Sequence, residues 1–100
     1  GLWVANVHAQ VRPADAARAD VAAAADAALE WAGEAPLVLG GDLNLRAPDP
    51  PEGLTLAGGH DVDHVLARGL RPRGPARTLD ARPLSDHLPV LAELELETAR

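Results

Sequence analysis

Asn6 and His8, Asp42 and Asn44, Asp63 and His64, and Asp86 and His87 form four pairs of ligand-type side chains, each set against an apolar run. Carboxylates, amides and imidazoles of this kind bind divalent cations, orient water and move protons near neutral pH. In an extended segment, residues two apart share a face, so Asp42 and Asn44 can address one ligand. A carboxylate beside an amide oxygen suits a hard cation such as Mg²⁺, or a phosphate and its attacking water. In Ser85-Asp86-His87-x-Pro89-Val90, His87 is the natural acid–base group and Asp86 a metal ligand. An imidazole in that role needs a carboxylate to fix its tautomer, and Asp63 is the candidate. Each pair alone also reads as an ordinary turn, with Asn or Asp making an Asx bond or Ser85 or Asp86 capping the chain. Four such pairs in one chain point to a shared site.

The elements that would position these pairs are legible in outline. Residues 2–8 read as a buried strand with a polar end carrying Asn6 and His8. Pro13 opens an alanine-rich helix to about Ala32, stopped by Gly33. Its inner face is Val21, Ala24, Ala25, Ala28 and Ala32, with Asp15, Asp20 and Glu30 toward water. Residues 36–41 form a second buried strand ending at Gly40-Gly41, and 47–53 form a Pro-rich loop. Short strands are expected at 54–56 and 62–66, with a connector at 71–83. Over 88–96 a period of two predicts one half-exposed strand. The order of strand, helix and further strands is that of one α/β layer pair.

One hundred residues make one modest domain, here 1–100, with a small core. Phe, Tyr, Met and Cys are absent, so the large apolar side chains are Leu, Val, Trp3 and Trp31. The lack of Cys excludes disulfides, thiolate zinc sites and cysteine nucleophiles. A net charge of −6 argues against nonspecific nucleic-acid binding, which depends on basic residues neutralising phosphates. All nine basic residues are Arg, which with the Ala and Pro excess reflects a GC-rich coding sequence. No run approaches the ~20 apolar residues of a membrane span, so a soluble setting, such as a bacterial cytoplasm, is expected. Gly1 stands inside what reads as a strand, so an upstream segment is expected as well.

Asn6-x-His8, Gly41-Asp42-x-Asn44, Val62-Asp63-His64-Val65 and Ser85-Asp86-His87-x-Pro89-Val90 resemble, in order and spacing, the motifs of the C-terminal half of the endonuclease/exonuclease/phosphatase (DNase I-like) family. The resemblance implies one sheet-plus-helix lobe of an α/β sandwich, an incomplete domain. It also implies hydrolysis of a phosphodiester or phosphomonoester of unknown class with Mg²⁺ or Mn²⁺. His87 would act as general base or stabilise the phosphoryl transition state, and Asp63 would orient it. Asp42 would polarise the attacking water or serve as acid, with Asn44 positioning water and phosphate. Asp86, with Asp42 and Asn44, would hold the metal, and His8 and Asn6 would contact phosphoryl oxygens. The family's early Asn and its Glu metal ligand have no counterpart here. The inner sheet face would then need the N-terminal half of the fold or another partner to cover it. Two alternatives stand beside this one. One is a remnant lobe that only binds; the other is a zinc module on His8, His64 and His87, whose spacing fits no compact zinc pattern.

Overall fold

The alanine-rich run forms helix α1 (Ala14–Ala32), preceded by Pro13 and closed by Gly33, whose N–H donates to the Leu29 carbonyl at 3.1 Å with φ +60. These details belong to a computed structural model that describes residues 1–97. Ala17, Val21, Ala25, Ala28 and Ala32 make the buried face of α1. Ala24 is only half-buried, and Ala17, one turn nearer the N-terminus, completes the stripe. Small side chains let the helix lie close against the sheet. The core is correspondingly thin: the alanines meet Leu37, Leu39, Leu43, Leu45, Leu54 and Leu66.

The sheet has the order β1-β2-β4-β3, from β1 (Trp3–His8), β2 (Leu37–Asp42), β3 (Thr55–His60) and β4 (Asp63–Arg68). β1 and β2 are parallel, joined by α1 as a crossover, and the remaining pairs are antiparallel. Leu37, Leu39 and Leu66 face the helix. On the opposite face, Val38, Val65, Ala57 and Ala67 pack with Leu70 and Leu94 in a second, smaller cluster.

Three expectations change. β1 is not buried: it is an edge strand, among the described residues it pairs with β2 alone, and Trp3 and Val4 are exposed, Val4 to 70%. Trp31, at 69% exposure, also lies outside the core, so leucine and alanine supply the packing. The strand expected over 88–96 is broken into β7 (Val90–Leu91) and β8 (Leu94–Leu96). Its partner is the segment expected to be a connector, which contains β5 (Leu70–Pro72) and β6 (Arg77–Thr78). Gly74 and Pro75 interrupt that segment, and proline has no N–H to donate to a ladder. The two short ladders are therefore separate sheets.

Candidate functional site

The register of the sheet lines up the polar strand ends. His8 pairs with Asp42, Asp42 with Asp63, and Asp63 with His60, one row across four strands. Cross-strand partners project to the same face. His87 reaches this row from the loop between β6 and β7.

The turn after β2 is held from several sides. Gly41 has φ +138, and a Cβ there would overlap the Val7 carbonyl and sit 2.7 Å from Asn6 Oδ1. Only glycine lets β1 and β2 close up at this point. Asp42 ends the strand, and its Oδ1 accepts the Asn44 N–H at 3.0 Å in an Asx turn. Asn44 adopts φ +52 and donates its Nδ2 to the Ala9 carbonyl at 2.7 Å. Leu43 N–H donates to Val62 O at 2.9 Å. Thus Asp42 and Asn44 do not share a face of an extended strand. Asn44 turns back to tie the loop after β1 to the end of β2.

His87 Nδ1 and Asp63 Oδ2 are 2.7 Å apart. The bond, then the negative charge of Asp63, raises the His87 pKa above its ordinary value; Asp86 and Asp42 add smaller contributions in the same direction. Ser85 Oγ accepts the His87 N–H at 3.0 Å and fixes the turn. With Nδ1 donated to Asp63, Nε2 is the free ring atom. His8 Nε2 lies 3.6 Å from Asp42 Oδ2 at an exposed position.

Ligand atoms of Asp42, Asp63 and His87 lie within 4.8 Å of one another. Two carboxylates and an imidazole suit a divalent cation. Mg²⁺ is commonly held by one or two carboxylates with water and substrate completing its shell, and carboxylate and water oxygens suit Mn²⁺ as well. Gly41, Asp42, Asp63, Ser85, His87 and Val90 are among the residues lining an open cleft of about 360 Å³. Asp86 stands apart, 98% exposed, its Oδ1 3.9 Å from His87 Nε2.

His64 is not in this group. It follows Asp63 on β4, so its side chain projects to the helix face, where it is buried and bonded to the Leu45 carbonyl. A zinc module on His8, His64 and His87 is therefore excluded. His60, not singled out in the sequence, lines a smaller cleft with Asp63, Asp86 and His87. It ends β3, which runs past the short strand expected at 54–56, and it pairs with Asp63.

No family model and no curated protein matches this chain. Two solved structures do. One is the endonuclease/exonuclease/phosphatase from Bacteroides vulgatus, with a TM-score of 0.72 and 21% identity over 90% of this chain and 48% of that one. The other is a functionally unknown conserved protein from Enterococcus faecalis V583, with a TM-score of 0.64 and 20% identity over 94% of this chain and 50% of that one. The chain thus spans about half the length of the structures it matches.

Proposed function

We infer from its fold, which is that of the C-terminal half of an endonuclease/exonuclease/phosphatase (DNase I-like) protein, that this chain belongs to that family and serves in metal-dependent hydrolysis of phosphate esters. The observation that carries the reading is the Asp63–His87 bond at 2.7 Å with the Asp42 carboxylate beside it in an open cleft. Asp63 fixes the imidazole with its proton on Nδ1, so Nε2 can take a proton from water. The raised pKa makes Nε2 a stronger proton acceptor once the ring is neutral. Asp42, and the second oxygen of Asp63, would hold Mg²⁺ or Mn²⁺, which when bound supplies positive charge to a phosphoryl oxygen and acidifies water. His8, at the exposed tip of β1, would donate to a phosphoryl oxygen with Asn6 beside it. Asn44 Oδ1 would orient the water, and Asp86 would contact the cation's outer hydration shell.

The test is Mg²⁺- or Mn²⁺-dependent release of nitrophenol from bis(p-nitrophenyl) phosphate and p-nitrophenyl phosphate. The chain alone should show weak turnover, and the chain joined to an N-terminal half of the fold should show strong turnover. The half-length match and the exposed Val4 also favour a second reading, a lobe that binds and does not catalyse. Phosphate binding without turnover in the joined protein would select it. Neither binding nor turnover would end both.

A further inference from the structure

We propose that His64, behind the cleft, is a positioning residue that holds the turn carrying Asp42 and Asn44. Its effect on the cation site rests on the function proposed above; its effect on the turn does not. His64 is buried on the helix side of the sheet, and its Nε2 lies 2.7 Å from the carbonyl of Leu45, a core residue. A carbonyl only accepts, so the proton is on Nε2 and Nδ1 carries a lone pair. Among the described residues that lone pair is buried with no hydrogen-bond partner. It faces Gly59, where a Cβ would overlap it, so the glycine of β3 makes the room the ring occupies.

An unpaired buried acceptor is costly, and an apolar side chain of similar size would avoid that cost. What the imidazole adds is a donor from β4 to the turn. That bond fixes the far end of the turn, residue Leu45, while Leu43 N–H to Val62 O and Asn44 Nδ2 to Ala9 O fix its start and middle. Asp63 and His64 thus work from opposite faces of one strand: Asp63 meets His87 in the cleft, and His64 steadies the turn that sets Asp42 beside it.

The experiment compares His64→Phe, His64→Gln and Gly59→Ala with the parent chain by amide hydrogen exchange and by Mn²⁺ titration. Phe keeps the ring and removes the donor; Gln restores a donor near Nε2; Ala at 59 displaces the ring without altering it. In His64→Phe and Gly59→Ala, exchange at Leu43 and Asn44 should rise roughly tenfold relative to Leu39 in β2, the order of one lost hydrogen bond. Mn²⁺ affinity should fall about 10–100-fold, as for other residues that support a metal ligand. His64→Gln should recover most of both losses. Unchanged exchange at Leu43 and Asn44, a uniform rise that includes Leu39, or failure of both variants to fold would overturn the proposal. Absence of Mn²⁺ binding by the parent chain would instead refute the cation site, and the exchange contrast would still decide the role of His64.

Discussion

Gly41→Ala should loosen the β1–β2 contact at the tip of the sheet. Two costs add at this position. With φ +138, Gly41 occupies backbone space that side chains rarely adopt, at about 1–3 kcal/mol. The new Cβ would also press on the Val7 carbonyl, a backbone atom that cannot swing away; overpacking of this kind costs about 1–3 kcal/mol. Together they make about 2–6 kcal/mol, against a total of about 5–15 kcal/mol for an ordinary domain. A chain whose core is mostly leucine and alanine has little reserve. With a urea slope of about 1–3 kcal/mol/M, the unfolding midpoint should drop by about 0.7 M or more, read by far-ultraviolet circular dichroism. In a Trp31→Phe background, fluorescence of Trp3, on β1, should shift at lower urea than the helix signal. A midpoint within about 0.3 M of the parent would refute the close approach of Gly41 to Val7.

Asp63→Asn removes the main cause of the raised His87 pKa, so the His87 ring titration followed by NMR should fall back toward 6.5. The sign for stability follows: because the folded value is raised, the pair's contribution is complete below the unfolded value and fades as pH rises through the folded one. His87→Ala in the chain joined to an N-terminal half should lower turnover by about 10²–10⁴-fold, and wild-type turnover should rise with pH through the His87 titration. Turnover that falls across that range would make the imidazolium the working form. Asp42→Asn should weaken Mn²⁺ binding in a calorimetric titration, whereas Asp86→Asn, at a fully exposed position 3.9 Å from His87, should change it little.

The parts of the fold set by local chemistry were legible. Proline, the alanine run and Gly33 define α1, and the apolar run before Gly40-Gly41 defines β2, because helix propensity and glycine turns act within a few residues. The break between Val90–Leu91 and Leu94–Leu96 was hidden: the alternation is intact in that segment, and the interruption lies in its partner at Gly74-Pro75. The exposure of Trp3 and Val4 depends on β1 being the outer strand, which periodicity does not reveal. In the site, Asp63 and His87 were matched as partners from their chemistry alone, and the structure joins them. Asp42 and Asn44 were placed on one extended face, but the Asx bond bends the chain between them. His64, next to Asp63 in the sequence, projects to the other face of β4, as neighbours on a strand do. His60 depends on the β3–β4 register, which no local pattern carries.

A crystal of the chain soaked in Mn²⁺ and measured at an anomalous wavelength would locate the cation directly. The geometry predicts one peak at about 2.0–2.4 Å from carboxylate oxygens of Asp42 and Asp63, beside the His87 ring. A peak elsewhere, or Asp42, Asp63 and His87 turned to separate parts of the surface, would contradict convergence of the strand tips on one phosphate-binding centre.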